Sequence, residues 1–112
     1  MGAKTEKLIC ILREIILLLE ANGETHWSQW MRTAKARLEN SDYSGVEYLL
    51  RAYGGMGSFN DLIICQTYKD GKLSWLPEGK DRNDRLDTLR SQAWELAEYI
   101  KRNHTIDNDA EQ

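Results

Sequence analysis

The first twenty residues constrain the fold more than any other part of the chain. The segment KTEKLICILREIILLLEANG is rich in good helix formers, and its apolar residues recur at helical spacing. Cys10 and Leu17 fall on the side of this helix that otherwise carries charged residues. Because apolar residues lie on both sides, we expect the helix to be central or to meet another chain. The predicted apolar face consists of Leu8, Ile11, Leu12, Ile15, Ile16, Leu18 and Leu19.

Two further helices are predicted before the middle of the chain. Asn22-Gly23 ends the first, and THWSQWMRTAKARLEN then continues with apolar residues at helical spacing. A third, shorter helix begins at Ser44, which has capping-box spacing with Glu47. Gly54 and the glycine after it end this helix. The apolar positions of the second and third helices are Trp27, Trp30, Met31, Ala34, Leu38, Val46, Leu49, Leu50 and Tyr53.

The pattern changes after the glycines. The run LIICQTY, residues 62–68, is β-branched and apolar, and Asp70-Gly71 separates it from LSWL. Asp-Gly between two such runs indicates a hairpin with a two-residue turn, because both turn positions need positive φ. That turn would place Tyr68 opposite Leu73 and Gln66 opposite Trp75. We therefore predict a two-stranded ribbon that lies on the helices or takes strands from a partner.

A long last helix completes the predicted fold. Its apolar residues form a narrow seam, Asp81, Asn83 or Asp84 can cap it, and we expect it to pack on the first helix. The sequence thus predicts an α+β fold, mostly helical (four helices), with one β-hairpin between the third and last helix. We expect residues 1–102 to form a single globular domain and 103–112 a flexible acidic tail. The seam consists of Leu86, Leu89, Ala93, Leu96 and Ile100.

Charge and cysteine usage exclude several classes of protein. The net charge is -3, and three of the 18 acidic residues lie in the tail, so the body carries 15 acidic and 15 basic side chains. A neutral body argues against nucleic-acid binding. Cys10 and Cys65 both lie in apolar runs and are interpreted as buried free thiols of a cytoplasmic protein. The run 8–19 is too short to span a membrane and is interrupted by Arg13 and Glu14.

The residue types that carry chemistry do not assemble into a recognised set. The stretch YGGMGSFND, residues 53–61, lacks the lysine of a phosphate-binding P-loop and is preceded by a helix, whereas a dinucleotide loop follows a strand. It is interpreted as a turn, with an anion site at the amides of residues 55–58, helped by Asn60 and Asp61, as the alternative. Nothing orients His26 against Cys65 as base and nucleophile. Asp84, Asp87 and Arg90 have the spacing of ion pairs on a solvated helix face. We predict no catalytic residue, cofactor or metal.

Aromatic residues are the strongest functional signal. The chain has four Trp and five Tyr against one Phe, more than a core of this size can fully bury. Trp and Tyr frequently anchor protein interfaces, so we expect an aromatic patch on the surface. The candidate partner-binding residues are Trp30, Met56, Phe59, Asn60, Asp61, Tyr68, Trp75 and Trp94.

The segment Leu49–Ile64, centred on YGGMGSFND, resembles a pattern in small uncharacterised bacterial proteins. Some of these resemble immunity proteins of polymorphic toxin systems, which bind a toxin domain and block it. The resemblance implies a bacterial cytoplasmic accessory protein. Together with the missing catalytic set and the surplus Trp and Tyr, it leads us to expect a non-enzymatic, immunity-type protein that blocks a toxin domain. Two alternatives stay open: a small-molecule or anion-binding domain, or an enzyme, that uses the glycine-rich loop 54–61, and a homodimer through the first helix, where Leu17 needs a cover.

Overall fold

Helices dominate the computed structural model, which describes residues 2–54 and 57–111, with side chains except at 67–69, 73, 75 and 105–111. The predicted helices are present, and the last is longer than predicted. The elements in order are α1 (Ala3–Ala21), α2 (Thr25–Glu39), α3 (Ser44–Leu50), a 3₁₀ turn (Phe59–Asp61), β1 (Gln66–Lys69), β2 (Lys72–Trp75) and α4 (Gly79–Glu111).

The predicted α+β class is wrong, and the fold is all-α. β1 and β2 have four residues each and pair only with one another, Gln66 opposite Trp75. No strand side chain that the structure describes joins the buried core. So short a ribbon forms no sheet layer. The preceding apolar residues enter no sheet either, because the backbone of Ile64 is hydrogen-bonded to the Asn83 side chain of α4.

The core is built around α1, as its broad apolar face predicts. α2 packs on one side of α1 and α4 on another, so α1 is covered from two directions. Cys10 and Leu17 remain outside this cover: Leu17 is 63% exposed, and the predicted burial of the Cys10 thiol is wrong. The homodimer through α1 stays a prediction. The largest fully buried side chains are Phe59, Leu8, Leu12, Ile15, Leu19, Met31, Leu38, Leu49, Ile64, Leu86 and Val46.

Two of the predicted helix starts need correction. Ser44 does not cap α3 with its side chain; Asp42 instead accepts the Ser44 N–H at 2.9 Å. α4 begins at Gly79, so Asp81 and Asn83 lie inside the helix, not at its cap. Because α4 begins at Gly79, Asn83 lies on the helix itself. From there its side chain bonds to the backbone of Ile64, which precedes β1.

α4 runs antiparallel to α1. Arg85 of α4 pairs with Glu14 at 3.0 Å, and Lys4 lies 5.2 Å from the centre of the Tyr99 ring. The backbone of α4 continues helically to Glu111. The division between a globular domain and a tail at residue 102 therefore stays a prediction. None of the helices in the described part of the chain is long and apolar enough to cross a membrane.

Candidate functional site

The glycine-rich segment is the connection that carries the chain from α3 to the surface of α4. Phe59 is fully buried within it, with its ring 5.4 Å from that of Trp27 and 5.7 Å from that of Tyr53. The prediction that Phe59 contacts a partner is therefore wrong, since the ring belongs to the core. Gly54 and Gly57 have φ of 113° and 76°, a backbone conformation that glycine adopts without strain.

Three of the described amides in this segment already have partners in the chain. Gly57 N–H donates to the Asp61 carboxylate at 3.0 Å, and Asn60 N–H donates to Ser58 Oγ at 3.3 Å. Phe59 N–H donates to the Ala52 carbonyl at 2.9 Å. At Gly57 a carboxylate of the same chain thus occupies the place of an external anion, while residues 55 and 56 of the predicted anion site lie outside the described residues. Predicted partner residue Met56 lies outside the described residues.

Arg90 of α4 holds the 3₁₀ turn in position. Its guanidinium donates to the Phe59 carbonyl at 2.7 Å and the Leu62 carbonyl at 2.9 Å, and it also pairs with Asp87. The side chain is only 12% exposed. The prediction that Arg90 lies on a solvated helix face is therefore wrong. The three-residue spacing between Asp87 and Arg90 predicts an ion pair. It does not show whether the arginine is exposed or is buried against the backbone of another segment.

Asn83 fixes the next part of the same connection. Its side-chain oxygen accepts the Ile64 N–H at 2.9 Å, and its amide nitrogen donates to the Ile64 carbonyl at 2.7 Å. The amide group therefore pairs with Ile64 much as a neighbouring strand would. Arg90 and Asn83 together attach residues 59–64 to one face of α4.

The candidate site is a shallow depression of about 250 Å³ where this connection meets α4. Trp94 is 44% exposed there, although large hydrophobic side chains are usually buried. We name the five lining residues the Trp94 surface: Tyr53, Asn60, Ser91, Trp94 and Glu95. The surface therefore brings together two of the predicted partner-binding residues, Asn60 and Trp94.

Tyr53 forms the floor of the Trp94 surface. Its hydroxyl donates to the Arg90 carbonyl at 2.7 Å. Burial raises the pKa of the Tyr53 phenol, and the nearby Arg90 charge offsets only part of this rise. The phenol is therefore neutral at physiological pH, and its one proton is already committed. Only the oxygen lone pairs are available to a ligand.

The other predicted partner residues whose side chains the structure describes do not line this surface. Trp30 is half-buried, stacks on Tyr48 at 4.6 Å and donates its indole N–H to the Tyr48 carbonyl at 2.9 Å. Asp61 borders a separate hollow of about 350 Å³. The Tyr68 and Trp75 side chains lie outside the described residues. Glu95 lines the surface although it was not among the predicted partner-binding residues.

The described contacts of Cys65 and His26 do not join them as nucleophile and base. The Cys65 thiol donates to the Asn22 side-chain oxygen at 2.9 Å, while His26 packs against Trp27 with ring centres 4.7 Å apart. The thiol thus has a partner other than the imidazole. No group of three or more His, Cys, Asp or Glu that could hold a metal ion occurs among the described residues.

Comparison with known proteins gives one similarity. Residues 20–72, fewer than half of the chain, match a family described as a domain of unknown function (DUF6966). The matched range covers α2, α3, the glycine-rich connection and β1, but not α4. No curated protein and no solved structure matches the chain. The chain is therefore similar to this family over the part that supplies Tyr53 and Asn60 to the Trp94 surface.

Proposed function

We propose that this is a non-enzymatic protein-binding protein and that the Trp94 surface is its contact site. The supporting observation is an indole that is 44% exposed on a helix, beside the side chain of Asn60, whose neighbour Phe59 is hydrogen-bonded through its carbonyl to Arg90 of that helix. Trp residues held rigidly at a surface are the usual anchors of protein interfaces. A partner would gain the burial of Trp94 while neither element needs to be ordered on binding.

The specific proposal is an immunity-type protein of the bacterial cytoplasm that neutralises a toxin by covering its functional site. The resemblance of the segment around YGGMGSFND to proteins of this kind supports it. In this structure that segment presents Asn60 at the Trp94 surface and buries Phe59 in the core. The motif would then serve binding indirectly, by fixing where Asn60 lies relative to α4.

The alternative, a small-molecule or anion-binding domain that uses residues 54–61, has less support. The Gly57 amide already donates to the Asp61 carboxylate, so an anion would first have to displace it. The alternative predicts stabilisation by a ligand: about 2.7 kcal/mol at a hundred times its dissociation constant. A thermal-shift screen of metabolites and inorganic anions measures this directly, and we expect no stabilisation.

Co-expression tests the proposal. We expect a toxin-like protein to be encoded next to this chain, and the wild-type chain to restore growth of cells that express it. Trp94→Ala should abolish protection and weaken binding by about 2–4 kcal/mol, because it removes a central aromatic anchor. Isothermal titration with an inactive toxin variant measures the affinity.

Tyr99→Ala is the matched control for this experiment. Tyr99 lies on the same helix with the same 44% exposure but does not line the Trp94 surface. It should protect cells as the wild type does, provided that circular dichroism shows all variants folded. Full protection and unchanged affinity with Trp94→Ala would refute the proposed contact site.

A further inference from the structure

We propose that the Trp94 surface receives an arginine side chain of the protein partner. This inference rests on the proposed function, because it names the chemistry that the partner must present. Three properties of the surface carry it: an exposed indole, a carboxylate without an ion pair, and a described lining that contains no Lys, Arg or His.

The indole provides a face for a cation. Trp94 is 44% exposed and lies in the depression with Glu95, the next residue of α4. Trp is the aromatic side chain that attracts cations most strongly, and the flat guanidinium of arginine stacks on it. The same indole would also pack against an apolar side chain. The choice between a cation and an apolar side chain therefore depends on the surrounding polar groups.

Glu95 is the carboxylate whose charge is not compensated at this surface. It is exposed and forms no ion pair among the described residues. Two other carboxylates near the connection are already engaged: Asp87 pairs with Arg90, and Asp61 accepts the Gly57 N–H. Glu95 therefore has both oxygens available for a donor.

Lys4 and Lys7 lie in an adjoining hollow that Glu95 also borders. Neither forms an ion pair with Glu95, and neither lines the Trp94 surface. No Lys, Arg or His lines the depression itself. An incoming cation would therefore meet one negative charge inside the depression, and the two lysines stand outside it.

The remaining polar groups can accept hydrogen bonds from a guanidinium. The Tyr53 hydroxyl donates its proton to the Arg90 carbonyl, so its oxygen can only accept. The Asn60 side chain makes no hydrogen bond among the described residues, and its Oδ1 is an acceptor, while its Nδ2 and the Ser91 hydroxyl can also donate. A guanidinium has five N–H donors and no acceptor, so it can use these acceptors together with Glu95. A phosphate or carboxylate would meet the Glu95 charge without any Lys, Arg or His in the described lining, and a lysine would not use the flat face of Trp94.

The experiment compares two probes that have the same shape and differ in charge. N-acetylarginine amide and N-acetylcitrulline amide are titrated at millimolar concentration into ¹⁵N-labelled full-length protein. We expect the indole N–H signal of Trp94, assigned by its absence in Trp94→Phe, to shift with the arginine probe and not with the citrulline probe. Equal shifts with both probes, or no shift with arginine, would overturn the inference.

Glu95→Gln is the variant that isolates the carboxylate. It should weaken the arginine probe about two- to fivefold, the usual effect of an exposed ion pair. Glu98→Gln removes one negative charge from the same helix, and Glu98 does not line the depression, so it should leave the affinity unchanged. Unchanged affinity in Glu95→Gln, or equal weakening in both variants, would count against an arginine site.

Co-expression with the toxin distinguishes failure of this inference from failure of the proposed function. If Trp94→Ala loses protection whereas Glu95→Gln and Glu95→Lys keep it, the surface binds a protein without an arginine anchor. If Trp94→Ala keeps protection, the proposed function itself fails at this surface. The combined proposal requires that Trp94→Ala and Glu95→Lys both lose it.

Discussion

At the scale of single residues, Arg90 joins the fold to the candidate site. Its guanidinium supplies donors to the carbonyls of Phe59 and Leu62, and the Phe59 carbonyl also accepts the Leu62 N–H at 3.3 Å. Buried carbonyls without donors are costly, so Arg90 contributes strongly to the position on α4 of the turn that carries Asn60. Arg90 itself does not line the depression, and its influence on binding is through the position of Asn60.

Arg90→Met should destabilise the protein by about 2–3 kcal/mol, because it leaves two carbonyls without charged donors. Arg90→Lys should cost less, since one ammonium can reach one of the two carbonyls. Urea unfolding at neutral pH measures both. Arg82→Met is the control: its pair with Glu78 is exposed at 3.6 Å, and such pairs contribute at most about 1 kcal/mol. Equal effects at the two positions would show that Arg90 is not a clamp.

At the scale of elements, the close contact between α2 and α3 requires a glycine at position 45. A Cβ placed on Gly45 would lie 2.9 Å from the Ala34 carbonyl oxygen and 2.9 Å from Leu38 Cγ. Distances this short between a Cβ and a backbone atom do not occur in relaxed structures, so one helix would have to move. Because α3 leads directly into the glycine-rich connection, its position on α2 sets where that connection begins.

Gly45→Ala should therefore destabilise the protein by about 1–3 kcal/mol, the usual cost of overpacking, although alanine favours helix. Chemical unfolding followed by circular dichroism gives the value. Gln29→Ala, an exposed position on α2, should change stability by less than about 0.5 kcal/mol. A stabilised Gly45→Ala variant would mean that the two helices are not in contact at this point.

The helices could be predicted from the sequence, because apolar residues at helical spacing report directly on which face is buried. Leu8, Leu12 and Ile15 show this in α1, and Leu86 and Ala93 in α4. The fold class could not be predicted, since the β-branched run 62–65 has the composition of a strand. Within this run the backbone of Ile64 bonds to one asparagine on a helix, and no local pattern distinguishes that partner from a neighbouring strand.

The site was predictable only in part. Asn60 and Trp94 were both candidates, but their meeting depends on how α4 packs against the connection, which neither local sequence contains. Phe59 was wrongly assigned to the surface because glycines and polar residues surround it. Its ring fills a space between Trp27 and Tyr53 that exists only once three separate segments have come together.

At the scale of the molecule, exposed charges link neighbouring helices. Glu20 at the end of α1 accepts two hydrogen bonds of 2.7 Å from Arg32 of α2. This bond, more than the attraction of the Arg32 charge, lowers the pKa of the Glu20 carboxyl in the folded protein. The depressed pKa means that the stabilisation is present above the unfolded-state value of about 4.3 and is lost as pH falls through the folded-state value.

The free energy of unfolding should consequently decrease as the pH is lowered from neutral to about 3. In Glu20→Gln this decrease should be less steep. Urea midpoints measured across this range provide the comparison. Glu24→Gln should retain the wild-type slope, because Glu24 forms no ion pair among the described residues. A slope in Glu20→Gln that equals that of the wild type would show that the Arg32 bond does not form in solution.

One consequence follows from the clamping of residues 59–64 onto α4. Trp94 and Glu95 belong to that helix, and Arg90 holds the turn that carries Asn60 against it. The relative positions of these three residues are therefore set by α4. Heating that loosens the α1–α2 pair would then lower the fraction of folded molecules without changing the Trp94 surface of those that stay folded. Variants of α4 and residues 59–64 selected for tighter recognition should accordingly combine without interference with stabilising variants of the α1–α2 pair.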